Sequence, residues 1–257
     1  MTVLRGNFDL MVQSTCNLHC KNCSVLDWKG GEYPGQTMKF KDVININEKL
    51  IGLGVTLEKL TLLGGEPTLN KDIIKIINYL SEFKNKTFKE LKLITNGLNL
   101  KEDIVKSFEG LDGLRISIYP HNLNMKEELV RSPLYKYLQS ITNLEIIDCK
   151  YFFVNGLKDP RYEYSKELNW KRCWKKYWCR HLTIDGLYRC DILENVGQEL
   201  CDMKDKNELI NYVHSNDPYE YCEKCPQPAL MKPWQSNNLK VDNRNAERGL
   251  SLIRNWN

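Results

Sequence analysis

The chain has 257 residues and a formal charge of +4, with 37 basic residues against 33 acidic ones. This length fits one large α/β domain with a small appendage and excludes two large domains. The N-terminus has no basic segment followed by an apolar stretch, and no apolar run approaches the roughly 20 residues of a membrane span, so we expect a cytoplasmic protein without a membrane partner.

The chain contains ten cysteines. Without an export segment, we expect them to be reduced metal ligands and not disulfides. Thiolate-bound metal would also cancel the small positive charge, so the charge gives no reason to expect a nucleic-acid partner.

Apolar runs alternate with amphipathic segments in the first part of the chain. The predicted strands are Phe8–Val12, Leu57–Leu63, Leu91–Ile94, Leu114–Tyr119 and Leu144–Ile147. Helical patterns lie between them, and one helix is predicted to present Ile73, Ile76, Ile77 and Leu80 on a single face. Repeated βα units predict a parallel sheet. Composition alone does not show whether this sheet is open or closed into a barrel.

The first predicted strand is followed by a short loop that carries Cys16, Cys20 and Cys23 in the sequence STCNLHCKNCS. Three thiolates from one loop can bind a four-iron cluster and leave one iron without a protein ligand, which is where metal chemistry takes place. A structural zinc site is the other interpretation, but such sites usually combine two C-x2-C pairs that lie far apart.

The second predicted strand ends in a turn of four residues, Gly64, Gly65, Glu66 and Pro67. Glycines let a ligand approach the backbone closely, and a carboxylate can bind an ammonium group. The turn therefore suits an amino-acid-like cofactor.

A three-cysteine loop after one strand and a GGEP turn after the next closely resemble the radical S-adenosylmethionine (SAM) superfamily, over about residues 7–155. The resemblance implies a partial (β/α)6 TIM-like barrel whose cysteine loop holds a 4Fe-4S cluster and whose GGEP turn contacts SAM. It also implies that Asn96 and Ser117, at later strand ends, contact SAM. An electron from a flavodoxin or ferredoxin would then cleave SAM to a 5'-deoxyadenosyl radical, which abstracts a substrate hydrogen.

The βα alternation fades after residue 157, so we divide the chain into a core, residues 1–157, and a cysteine-rich module, residues 158–257. The cysteines of the second module are Cys173, Cys179, Cys190, Cys201, Cys222 and Cys225. The segment CRHLTIDGLYRC predicts a hairpin around Asp185 and Gly186 that brings Cys179 and Cys190 together.

This spacing is similar to the SPASM and twitch extensions of radical SAM enzymes. The resemblance implies one auxiliary 4Fe-4S cluster held by Cys190, Cys222 and Cys225, with Cys173 or Cys179 as the fourth ligand. A zinc ribbon made by the same residues is the alternative. The expected fold class is therefore α/β, a partial (β/α)6 TIM-like barrel with a small cysteine-rich, twitch-like C-terminal extension.

The resemblance implies an oxidoreductase that oxidises or otherwise modifies a small molecule, with a sugar or polyol as first choice by analogy with twitch-type dehydrogenases. Peptide modification, by cross-linking or epimerisation, is the enzyme alternative. An epimerase needs a hydrogen-donating thiol, for which Cys149 and Cys201 are candidates. A non-catalytic iron-sulfur or zinc protein is the alternative from another class, and the GGEP turn beside a three-cysteine loop argues against it.

Overall fold

The computed structural model describes residues 2–18, 20, 23, 37–120, 123–153, 165–173, 179–190, 200–215, 218, 222, 231–233 and 243–256. The strands in these ranges are β1 (Thr2–Gln13), β2 (Val55–Gly64), β3 (Phe88–Thr95), β4 (Gly113–Ile118), β5 (Asn143–Asp148), β6 (Tyr151–Phe153), β7 (Cys179–Leu182), β8 (Leu187–Tyr188) and β9 (Met231–Pro233). The α-helices are α1 (Phe40–Gly52), α2 (Ile73–Ser81), α3 (Glu102–Ser107), α4 (Leu123–Arg131), α5 (Pro133–Ile141), α6 (Lys166–Arg172), α7 (Lys206–His214) and α8 (Asn243–Arg254). Two 3-10 turns cover Pro67–Leu69 and Phe108–Gly110.

The main sheet is a seven-stranded sheet with the order β5-β4-β3-β2-β1-β7-β8. Strands β1 to β5 pair in parallel with their neighbours, and each of the five predicted strands overlaps one of them. Helices connect them, as βα units require. The structure therefore confirms an α/β fold with a mainly parallel sheet.

The predicted hairpin is present, because β7 and β8 are antiparallel and Leu182 lies opposite Leu187. It does not form a separate sheet: β7 lies parallel to β1, with Asn7 opposite Cys179 and Leu10 opposite Leu182. Local patterns cannot reveal a pairing between strands this far apart in sequence, so the sequence placed the hairpin only in the second module. The division after residue 157 stays a prediction.

The two faces of the main sheet have different characters. On β1, Phe8, Leu10 and Val12 are buried in the main hydrophobic core. Asn7, Asp9 and Met11 alternate with them and therefore lie on the opposite face, which we call the inner face.

The predicted apolar face of α2 is confirmed, since Ile73, Ile76, Ile77 and Leu80 are all buried. These residues belong to the same core as Phe8 and the other outward-facing strand residues. None of the helices in the described ranges is long and apolar enough to cross a membrane.

A buried arginine attaches the C-terminal strands to the core. Arg180 on β7 is 4 % exposed, and its guanidinium lies 5.3 Å from the centre of the Phe8 ring. It donates hydrogen bonds to the carbonyl oxygens of Arg5 (3.2 Å) and Val213 (2.9 Å). One side chain thus joins β1, β7 and α7.

A buried carboxylate joins the ends of β2 and β3. Glu66 is 1 % exposed. Its Oε1 accepts hydrogen bonds from the backbone N–H (3.1 Å) and hydroxyl (2.6 Å) of Thr68 and from the hydroxyl of Thr95 (2.6 Å). Its Oε2 accepts one from the backbone N–H of Asn96 (2.7 Å). A carboxylate offers about four acceptor sites, so these donors use its capacity.

Removing this carboxylate should cost stability. Glu66→Ala leaves buried donors of Thr68, Thr95 and Asn96 without their acceptor, so we expect the free energy of unfolding to fall by about 1–3 kcal/mol. Urea denaturation of wild type and variant measures the difference. Glu48→Ala removes an exposed glutamate of α1 and is expected to change stability by less than about 0.5 kcal/mol. Equal stability of the two variants would show that the hydrogen bonds of Glu66 do not stabilise the fold.

Candidate cofactor and metal site

The three-cysteine loop begins directly after β1 and folds back over its end. Cys20 is buried, while Cys16 and Cys23 are half-buried. The Sγ of Cys16 accepts the backbone N–H of Leu18 at 3.3 Å. Below the loop, Met11 on the inner face packs against Cys16 and Cys23.

The two glycines of the GGEP turn lie against the backbone of this loop. Gly65 N–H donates to the carbonyl of Gln13 (2.7 Å), and Glu66 N–H donates to the carbonyl of Thr15 (2.8 Å). A Cβ on Gly64 or Gly65 would collide with these same carbonyl oxygens, and Gly64 has a φ of +148°. The close approach seen in the structure is that of the chain's own backbone at Gln13 and Thr15, and the predicted approach of a ligand stays a prediction.

One cavity brings most of the predicted site residues together. It has a volume of about 180 Å³. Its lining consists of Cys16, Leu18, Cys20, Cys23, Leu63, Gly64, Gly65, Glu66, Ile94, Thr95, Asn96, Ser117 and Tyr119. We call it the cysteine cavity. Pro67 is not part of this lining and instead begins a 3-10 turn as a buried residue.

Negative charge is costly in the wall of this cavity. Burial raises the pKa of the Cys16 thiol well above its usual range, and the nearby Glu66 carboxylate raises it further. Burial also raises the pKa of Glu66, although hydrogen bonds from Asn96, Thr68 and Thr95 oppose this shift. Three ionised thiolates here would need a positively charged group beside them.

The lining residues provide no such cation, since they include no lysine, arginine or histidine. Iron bound to the three sulfurs would supply the missing positive charge, so the donor set fits a cluster. Among the described residues, no three His, Cys, Asp or Glu side chains lie close enough to hold a single metal ion.

Asn96 lies in the cavity wall but contacts the cysteine loop. Its Nδ2 donates to Oδ1 of Asn17 (2.7 Å) and lies 3.6 Å from the Sγ of Cys16, within hydrogen-bond range for sulfur. Its Oδ1 accepts the backbone N–H of Leu98 (3.0 Å). The predicted contact of Asn96 with SAM therefore stays a prediction, and the structure shows a contact with a cysteine thiol in its place.

Sequence reasoning missed Tyr119 as a lining residue. Burial raises its pKa well above the usual range, with the thiols of Cys149 and the loop cysteines adding to the shift. Tyr119 follows the predicted site residue Ser117 by two positions, and this period-two spacing near the end of β4 could have revealed it. Cys149 is half-buried beyond β5, where hydrogen bonds with Ser117 and Tyr119 partly offset the burial that raises its pKa.

Two cysteines of the C-terminal region, Cys173 and Cys222, lie next to α6. Cys173 caps the C-terminus of this helix. The carbonyl of Cys222 accepts a hydrogen bond from Nδ2 of Asn169 (2.7 Å). Arg189, which precedes Cys190, lies 5.6 Å from the centre of the Trp170 ring.

The remaining C-terminal cysteines have different surroundings. The hairpin pairing ends at His181 opposite Tyr188; Cys179 is the first residue of β7, and Cys190 lies two residues beyond the end of β8. Cys201 is 3 % exposed, and its backbone pairs with that of Leu187 in an isolated antiparallel β-bridge. Cys225 lies outside the described residues.

Comparison with known sequences places these features in a family. The family model of the radical SAM superfamily matches residues 10–148. A mitochondrial GTP 3',8-cyclase of Arabidopsis thaliana is 34% identical over 104 residues, which cover 40% of this chain and 26% of that protein. A GTP 3',8-cyclase of Pasteurella multocida is 26% identical over 110 residues, 42% of this chain and 32% of that protein. The chain thus spans about a third or less of the length of these curated relatives.

Comparison with solved structures extends the likeness beyond the matched region. BtrN in complex with AdoMet and 2-DOIA has a TM-score of 0.58 at 12% identity, and the alignment covers 94% of this chain and 96% of BtrN. SuiB of Streptococcus suis bound to the precursor peptide SuiA has a TM-score of 0.52 at 15% identity, covering 82% and 65% of the two chains. At these identities the likeness shows a shared fold. With the family model matching more than half of its length, the chain belongs to the radical SAM superfamily.

Proposed function

We propose that the cysteine cavity binds a 4Fe-4S cluster through Cys16, Cys20 and Cys23 and binds SAM beside it. This proposal rests on one observation: all three cysteines line the same cavity as the glycine turn, Asn96 and Ser117. When bound, the cluster and SAM supply a one-electron cleavage that yields methionine and a 5'-deoxyadenosyl radical, which takes a hydrogen atom from the substrate.

The chain's own residues prepare this site in three ways. The glycine turn donates backbone hydrogen bonds to Gln13, at the end of β1, and to Thr15, in the cysteine loop. Four protein donors bind the Glu66 carboxylate and fix that turn. The cofactor would therefore contact the backbone of the turn and not this carboxylate. Met11 and Leu63 give the cysteines an apolar floor that excludes water.

We also propose an auxiliary 4Fe-4S cluster in the C-terminal region. Its ligands would be Cys190, Cys222 and Cys225, with Cys173 or Cys179 as the fourth. The support is that Cys173 ends α6 and that Asn169 of the same helix donates a hydrogen bond to the carbonyl of Cys222.

For the reaction, we propose oxidation or another radical modification of a small molecule such as a sugar or polyol, with a flavodoxin or ferredoxin as reductant. The alignment with BtrN, which covers nearly all of both chains, favours this class. Peptide modification is the second candidate, because SuiB, which shares the fold, binds a precursor peptide. In that case Cys149, beside Ser117 and Tyr119 at the cavity, is a better placed hydrogen donor than the buried Cys201.

The iron content tests the first cluster. In anaerobically reconstituted protein we expect about eight irons per chain, falling to about four in the Cys16/Cys20/Cys23→Ala variant, with loss of the EPR signal that responds to SAM. 5'-Deoxyadenosine formation should be abolished with it. The control Cys201→Ala removes a buried cysteine outside the cavity and should keep the full iron content. Retained 5'-deoxyadenosine formation in the triple variant would overturn the site.

The auxiliary cluster has a reciprocal test. The variant Cys190→Ala/Cys222→Ala is expected to lose about four irons while the SAM-responsive EPR signal is kept, because the two clusters have separate ligands. Metal analysis that finds zinc in the wild type, and no loss of iron in this variant, would replace the auxiliary cluster by a structural zinc site.

Asn96 provides a test of the environment of the first cluster. Hydrogen bonds to ligand sulfurs stabilise the reduced, more negative state of a cluster, so Asn96→Ala should make its reduction potential more negative. An EPR-monitored redox titration measures this shift. Asn47→Ala is the matched control, because Asn47 is also buried but bonds to Tyr79 and Thr87. An unchanged potential in Asn96→Ala would show that the contact with Cys16 has no electronic effect.

A further inference from the structure

The inner face of the sheet carries a second and larger cavity that the proposed chemistry does not use. It has a volume of about 510 Å³, within the range of small-molecule sites. Strands β1 to β5 all contribute to its lining, which includes Asn7, Lys59, Thr61, Lys92, Arg115 and Glu145. We call it the inner cavity.

Positive charge is in excess among the lining residues of the inner cavity, which include three cationic side chains and one carboxylate, Glu145. Lys59 and Lys92 share a single carboxylate oxygen, Oε2 of Glu90, at 3.5 and 3.3 Å. Arg115 donates from Nε to Oε2 of Glu145 at 2.7 Å. Each of the three cations therefore has a carboxylate partner, but one carboxylate, Glu90, serves both lysines and lies outside the lining of the cavity.

The hydrogen-bonding capacity of these cations is also largely unused. An ammonium has three N–H donors and a guanidinium has five. Within the described part of the chain, the ammonium groups of Lys59 and Lys92 form ion pairs only with Glu90, and the only hydrogen bond from the Arg115 guanidinium is that of its Nε. The lysine side chains are 33% exposed, so they are accessible to a ligand.

A further acid of the inner face, Asp9, is already engaged. Asn7 donates from Nδ2 to Asp9, and the hydroxyl of Thr61 donates to Oδ1 of Asn7 at 2.6 Å. On the neighbouring strand β7, Nε2 of His181 lies 3.6 Å from Oδ2 of Asp9. Asp9 itself is not among the lining residues of the inner cavity.

The inner cavity adjoins the cysteine cavity, because Ile94 lines both. The strand pairing also brings the two cavities together. Ile94 lies opposite Arg115 of the inner cavity, and Leu63 of the cysteine cavity lies opposite Met11. A molecule held by the cations would therefore extend along Ile94 towards the cysteines.

We infer that the inner cavity binds an oxyanion, a phosphate or a carboxylate, carried by the substrate. Lys59, Lys92 and Arg115 hold this group, and the part of the substrate that loses hydrogen lies on the Ile94 side. The inference rests on the proposed function and narrows its substrate class to small molecules that carry an anionic group. Neutral polyols do not satisfy the excess positive charge.

Titration calorimetry with three probes tests this inference in the anaerobically reconstituted holoprotein: inorganic phosphate, succinate and the neutral polyol myo-inositol. We expect phosphate, succinate or both to bind, more weakly as potassium chloride is added. In the variant Lys59→Gln/Lys92→Gln, the Kd for the bound anion should rise about tenfold or more, since charge-assisted hydrogen bonds are lost. If only one of the two anions binds, it identifies the oxyanion; if both bind, the lower Kd does.

The matched control is Lys75→Gln/Lys106→Gln, which removes two exposed helix lysines and should leave the Kd unchanged. The inference is overturned if neither anion binds, if the inner-cavity variant binds as the wild type does, or if myo-inositol binds more tightly than both. The SAM-responsive EPR signal is recorded in the same samples. Its absence in wild type defeats the proposed function, whereas its presence without anion binding defeats only this inference.

Discussion

Burial of one carboxylate organises the end of the sheet where the cysteines lie. The Glu66 carboxylate accepts hydrogen bonds from the turn after β2 and from the end of β3. Its backbone N–H donates to the cysteine loop after β1. Three strand ends are thus fixed relative to one another through one residue. A carboxylate removed from water persists only where donors replace its hydration, so the positions of these loops depend on each other.

The neighbouring polar residues extend the same principle. Nδ2 of Asn70 donates to the carbonyl oxygens of Val12 (2.6 Å) and Met38 (2.9 Å), which lie on either side of the cysteine loop. Asn99 donates to the carbonyl of Thr68 at 2.7 Å, behind the Glu66 network. Such a shell restricts the cysteine positions before any metal binds, and a preorganised ligand set binds with a smaller entropic cost.

Much of this arrangement was predictable from the sequence. Period-two and helical patterns located β1 to β5 and the buried face of α2, and the motifs identified the loops that line the cysteine cavity. Pairing of β7 with β1 was not predictable, because no local pattern encodes a partner so distant in sequence. The internal engagement of Glu66 and Asn96 was also missed, since a motif shows which residues are present and not which donors surround them.

The pairing of β7 with β1 also constrains how the chain folds. Arg180 contacts the backbone of Arg5, 175 residues earlier, so one edge of β1 has no partner until β7 has been synthesised. At typical elongation rates this interval is roughly 9–35 s. An unpaired strand edge is a template for association with other chains. This edge of β1 is therefore closed by β7 only after more than two thirds of the chain has been synthesised, and a truncation before residue 179 would remove its partner.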